Sequence, residues 1–266
     1  HADFQNAGLP LLFIKGLTVG ALAYRSPLLK MGWDIDLLID PPHLETAAEL
    51  LLERGYALRL PSDLADLQRW HARSKESVWV REHSFYVELH TRLADNPRLI
   101  PRIDVHTPRQ LIEVVPGVPL PTLAQDELFA YLAVHGASSA WFRLKWISDF
   151  AALLHGRDAR EIERLYGRSQ DLGAARAAGQ ALLLADSLFG TLQPLPALRG
   201  QLESDRATRL LRAAALRMMA GEHEPTERPL GTLTIHWTQL LLRRGFAYKS
   251  SELWRQGAGL LNRYGQ

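Results

Sequence analysis

Over residues 9–120, short apolar runs alternate with stretches whose apolar positions recur at helical spacing. Leu11-Leu12-Phe13-Ile14 reads as a strand that ends at Lys15-Gly16. Leu17–Tyr24 reads as a short helix, stopped by Ser26-Pro27. A second strand is predicted where Met31-Gly32-Trp33-Asp34-Ile35-Asp36 runs into Leu37-Leu38-Ile39, and Pro41-Pro42 breaks it. His43–Arg54 has helical periodicity and a glycine stop at Gly55. Tyr56–Leu60, Ser77–Glu82 and Ser84–Leu93 have strand composition, with Glu82-His83-Ser84 placed for a tight hairpin between the last two.

Beyond this region the pattern changes. Val114–Pro121 carries Pro116, Gly117, Pro119 and Pro121 and reads as a linker. Thr122 and Gln125 have the spacing of a capping box that opens a helix through Val134. Trp141–Leu154, Arg160–Tyr166, Ala174–Phe189 and Ser204–Ala220 read as further helices, rich in Ala, Leu and Arg. The prediction is an α+β fold. A small mixed sheet flanked by helices occupies residues 1–120, and an all-helical domain follows at 121–266.

Composition narrows the chemistry. The 266 residues are ample for a core, at 47% hydrophobic. The absence of cysteine excludes disulfides and thiolate metal sites and is compatible with a reducing cytoplasm, the expected location. No apolar run reaches the ~20 residues of a membrane-spanning helix, so no membrane partner is expected. No signal peptide is recognisable, and because the chain opens on His1 rather than Met, what precedes that residue is left open. A formal net charge of +2 permits nucleotide or RNA partners without arguing for them.

The candidate chemistry centres on Asp34 and Asp36. They lie two apart on a predicted strand, so they share one face at the edge of an apolar run. Side-by-side carboxylates repel each other unless a cation lies between them, and oxygen-only ligands suit Mg²⁺. Two solvated acids at a strand end would give the same tripeptide. Glu88 lies on the face of its strand shared with Tyr86 and His90. It is either a third carboxylate, as general base or metal ligand, or an exposed strand residue. Gly16 at a strand-to-helix turn allows close backbone approach to a phosphate, with Lys15 as a point charge and Thr18 as a hydroxyl donor. Lys30 and Lys145 are further candidate phosphate contacts. Trp141 and Trp146 read as core, and His71, His83, His106 and His155 show no metal-ligand spacing.

In order along the chain these are a strand, a glycine turn, a helix, an Asp-x-Asp strand and a later acid on another strand. That order resembles the nucleotidyltransferase superfamily related to DNA polymerase beta. Ile14-Lys15-Gly16-Leu17, residues 23–39, Val87-Glu88-Leu89-His90 and the His135–Asp149 segment are similar, more narrowly, to a bacterial family of uncharacterised nucleotidyltransferases. The likeness covers about the first 155 residues. It implies a nucleotidyltransferase-type sheet and Mg²⁺-dependent transfer of a nucleoside monophosphate from an NTP, such as ATP, to an acceptor. By this resemblance Asp34 and Asp36 match the metal-binding acids, Glu88 the third carboxylate and Gly16 the phosphate turn. Two positions depart from the pattern: Leu17 stands where serine usually follows the glycine, and Glu88 where aspartate is commoner.

Three roles are open at this point. One is an enzyme acting on a small-molecule or peptide hydroxyl. Another is a catalytically weak NTP-binding or partner-docking module on the same scaffold. The third is a toxin-type enzyme that modifies tRNA or protein, against which the lack of a basic cluster argues.

Overall fold

The computed structural model describes residues 1–30, 32, 34–82 and 84–264, with residues 259–264 described as backbone only. Met31, Trp33 and the hairpin position His83 lie outside the described residues. The chain divides into two compact units: residues 1–95 with 102–128, and residues 96–101 with 129–266.

The first unit opens with helix α1 (Ala2–Asn6), strand β1 (Leu11–Phe13) and helix α2 (Leu17–Tyr24). Strand β2 (Asp34–Ile39), helix α3 (Leu44–Glu53), strand β3 (Ala57–Leu60) and helix α4 (Leu67–His71) follow. Strands β4 (Glu76–Arg81) and β5 (Phe85–His90) complete a five-stranded sheet in the order β1-β2-β5-β4-β3. Its β2–β5 pair is parallel and the other neighbours are antiparallel. Alternation sorts the sheet into two faces. Leu37, Ile39, Val87, Leu89 and Trp79 join Leu44, Ala47, Ala48 and Leu51 of α3 in a single apolar core. The even positions Asp34, Asp36, Glu88 and His90 lie on the opposite face. The α+β reading holds, and the boundaries of α2 coincide with those predicted.

Residues 114–121 are not a linker. They belong to a two-stranded hairpin of β6 (Arg109–Val115) and β7 (Val118–Leu123), which packs beside β1 and α2. Prolines disguise it in the sequence. Pro119 and Pro121 face Glu113 and Leu111, two residues apart, so both occupy the same class of position along the ladder. A two-stranded ribbon is all edge, and there proline's missing N–H is tolerated. Pro116-Gly117 makes the turn, with Gly117 at φ 77°. Thr122 is correspondingly no helix cap: it is fully buried in β7, and the next helix begins at Gln125.

That helix, α5 (Gln125–Ser138), leads from the first unit into the second. The second unit continues with α6 (Leu144–Leu154), α7 (Ala159–Asp171), α8 (Ala175–Phe189), α9 (Pro196–Ser204) and α10 (Arg206–Met219). Helices α11 (Leu233–Gln239) and α12 (Phe246–Tyr264) end it. Ala177 through Ala185 of α8 are buried without interruption. A helix apolar on every side must be surrounded, and α6, α7, α9 and α10 all pack on it. Trp141 is core as expected, at 0% exposure, with its ring against Gly136.

Candidate active site

The site is assembled on the polar face of the β2–β5 pair. Because those strands are parallel and in register, Asp36 lies directly opposite Glu88, and Leu38 opposite His90. On the other side of β5, Glu76 of β4 faces His90. Three carboxylates and an imidazole are thereby gathered from three strands. Two cations enter among them. The Lys15 ammonium lies 2.5 Å from Asp36 Oδ1 and 3.7 Å from Glu88 Oε2. Lys75 pairs with Glu76.

His90 is fully buried and aims Nε2 at all three acids, 3.2 Å from Asp36, 3.2 Å from Glu76 and 3.6 Å from Glu88. Acceptors on every side require Nε2 to carry the hydrogen, and Nδ1 is buried without a partner. Burial alone would raise the Asp36 pKa, but Lys15 and the His90 hydrogen bond outweigh it and hold the carboxyl well below the usual range. At Glu88 burial wins. His90 and Lys15 oppose it, while the Glu76 and Asp36 charges add to it, and the pKa rises. Two carboxylates facing each other are thus pushed in opposite directions by their surroundings.

Lys15 and Gly16 form the turn between β1 and α2. Gly16 has φ 60° and ψ −124°, a conformation that only glycine adopts without strain. A Cβ there would lie 3.6 Å from the Asp34 carbonyl oxygen, so the turn rests on the start of β2. Thr18 corrects an expectation. It is fully buried, and its hydroxyl is 3.1 Å from the carbonyls of both Phe13 and Lys15. The hydroxyl locks the turn and is not directed at a phosphate. Lys30 packs its stem on α2, where a Cβ on Gly20 would come within 3.0 Å of it. Lys145 is exposed on α6 of the second unit.

The donor set suits a divalent cation. Asp36, Glu88 and His90 bring one ligand-type atom each within 4.8 Å of one another. With His90 Nε2 donating its hydrogen, the two carboxylates are the groups left to hold an ion, and the Lys15 ammonium marks a place where they accept positive charge. Asp34 is half-buried, one step along the same strand face and opposite Tyr86, and stands outside that group.

The family described as uncharacterised nucleotidyltransferase matches residues 1–190. The chain belongs to this family. The match runs through α8, past the 155 residues over which the resemblance was legible. The five-stranded mixed sheet and the helical C-terminal region are consistent with a nucleotidyltransferase fold. No protein of curated function matches the chain. Among the described residues, no helix is long and apolar enough to cross a membrane.

Sequence reasoning missed Glu76 and the part played by His90. For His90 a signal was present, since it is two residues from Glu88 on one strand and therefore on its face. Glu76 carried none, because its place beside His90 depends on the β4–β5 register. The histidines without metal spacing have ordinary roles. His71 Nδ1 lies 2.9 Å from the Thr91 hydroxyl, His106 bonds Asp40 at 2.9 Å, and His155 is exposed.

Proposed function

We propose that this chain is a Mg²⁺-dependent enzyme that moves a nucleoside monophosphate from an NTP to a hydroxyl of a small-molecule or peptide acceptor. The observation that carries the reading is the in-register Asp36–Glu88 pair with the Lys15 ammonium beside both carboxylates. Residues 1–120 form the catalytic domain in this reading and 121–266 a helical companion. Asp36 would hold the metal, with Asp34 on the same strand face contributing, and Glu88 opposite Asp36 would act as the base. Bound there, Mg²⁺ supplies charge neutralisation of the triphosphate.

The protein's own groups do the remaining work. The Gly16 turn brings the N-terminal amides of α2 toward phosphate oxygens. Lys15 balances the charge of carboxylates and phosphates together, and Lys30 is a further phosphate contact. Glu88 takes the proton of the acceptor hydroxyl as its oxygen bonds to the α-phosphorus and pyrophosphate leaves. His90 holds Asp36 through its Nε2–H. Leu17, 42% exposed, offers no hydroxyl to the phosphates, so besides the Lys15 charge the turn offers them backbone amides alone.

A second reading, an NTP-binding module with little turnover, is favoured by the Lys15–Asp36 pair, which gives the carboxylate a resident cation. Pyrophosphate release over a panel of hydroxyl acceptors, with wild type and Asp36→Asn, separates the two. Release lost in the variant supports the enzyme. NTP binding without release from any acceptor supports the module.

A further inference from the structure

The second unit contains a cleft of about 510 Å³ that the reaction proposed above does not use. Its walls come from the end of α7, the start of α8, the α9–α10 junction and the segment just before α12. Residues 201–244 of this lining lie beyond the family match, so the cleft is not covered by the family as a whole. Its volume lies within the range of small-molecule sites.

Charge is what sets the cleft apart. Among its described lining residues, Arg176, Arg243 and Arg244 face a single carboxylate, Asp205. Arg176 is 16% exposed and divides its guanidinium between Asp205 Oδ2 and the Leu241 carbonyl, each at 2.9 Å. Arg243 bonds the Arg98 carbonyl and lies over Gly173, where a Cβ would come within 3.6 Å of its guanidinium carbon. Arg244 is 77% exposed and 3.6 Å from Asp205. Two of the three cations are therefore fixed by backbone carbonyls, and the third is able to close over a ligand. Helix α8 starts at this wall from Ala174, whose side chain caps nothing, so its positive end adds to the field.

We infer that this cleft binds a small polar molecule carrying a phosphate group. Guanidinium forks match carboxylates and phosphates alike. Asp205 already supplies the one carboxylate that Arg176 and Arg244 share, and the charge left over suits a dianion with three oxygens. The rest of the lining fits a hydroxylated body more than an apolar one. The Tyr166 hydroxyl, which shares a hydrogen bond with the Gln170 side chain, and the Gln201 amide are polar groups of the lining. The apolar contribution is confined to Ala175, Leu202 and Leu242.

The test is calorimetric titration of ribose 5-phosphate, inorganic phosphate and citrate into the full chain, without added metal. Arg244→Gln and Asp205→Asn are compared with wild type. Arg244 is exposed and can be changed without disturbing the core, and asparagine at 205 keeps a side-chain oxygen for the cap on Ala207. The expected result is saturable binding of ribose 5-phosphate, weakened about tenfold or more in Arg244→Gln and tightened in Asp205→Asn. Unchanged thermal midpoints of the unliganded variants would assign both effects to the site. Three results would overturn the inference: no binding at millimolar ligand, binding indifferent to both substitutions, or a preference for citrate.

Discussion

Asp36 and Glu88 stand opposite each other on parallel strands, and their surroundings split them electrostatically. Asp36 has Lys15 at 2.5 Å and His90 at 3.2 Å and titrates low; Glu88, at 3.7 Å and 3.6 Å from the same two groups, titrates high. Two neighbouring carboxylates with separated proton affinities are the arrangement expected of one ligand and one base. In the proposed reaction Asp36 is the ligand that stays ionised, and Glu88 is the group that accepts the acceptor's proton.

The turn that feeds this pair depends on Gly16. Alanine there would meet no clash, with 3.6 Å to the Asp34 carbonyl, but would be forced to φ 60° and ψ −124°. Gly16→Ala is expected to destabilise the fold by about 1–3 kcal/mol. It should also weaken NTP binding, because α2 and Lys15 would shift together. Thermal melts beside NTP titration check both halves of this expectation.

Leu17 offers a gain-of-contact experiment. Leu17→Ser replaces a partly exposed apolar side chain with a hydroxyl at the start of α2. NTP affinity should rise by up to about tenfold if the phosphates lie on this turn, the worth of one charge-assisted hydrogen bond. Unchanged affinity would move the phosphates elsewhere.

His71 gives the first unit an acid-sensitive element. Burial, with the Arg92 and His90 charges, lowers its pKa to about 4. In the unfolded chain it titrates near ~6.5. Between those values the unfolded state binds more protons, so the stability from neutral His71 is full above about pH 6.5 and is lost as pH falls toward 4. Thermal midpoints should drop over that window, and His71→Leu should flatten the slope.

In the helical unit Gly136 packs directly under Trp141. A Cβ on Gly136 would lie 2.4 Å from the indole ring, which is fully buried and cannot retreat. Gly136→Ala is expected to destabilise by roughly 1–3 kcal/mol or more, read as a lowered midpoint in urea.

What could be read beforehand followed from local rules. The strand, glycine turn and helix over residues 11–24, the Asp-x-Asp strand and the Gly55 stop each depend on neighbours within a few residues, and all are in the structure. The α+β class followed from the same periodicity. What was hidden depends on pairing across the chain. The 109–123 hairpin looked like a linker because its prolines only make sense once their ladder positions are known. Thr18 looked available to a phosphate because nothing local shows its hydroxyl turned to Phe13 and Lys15. Glu76 joins the cluster only through the β4–β5 register. The cleft around Arg176 draws on segments from residue 166 to 244, far beyond any local motif.

The central claim, that the acids beside Lys15 form a metal–nucleotide site, is tested most directly by calorimetry. ATP, GTP, CTP and UTP would be titrated into the chain with Mg²⁺ and with EDTA, beside the Asp34→Ala/Asp36→Ala double variant. The account predicts that at least one NTP binds with Mg²⁺, and that binding is lost both in EDTA and in the folded double variant. Binding that survives EDTA and the double substitution, or no binding of any NTP, would contradict it.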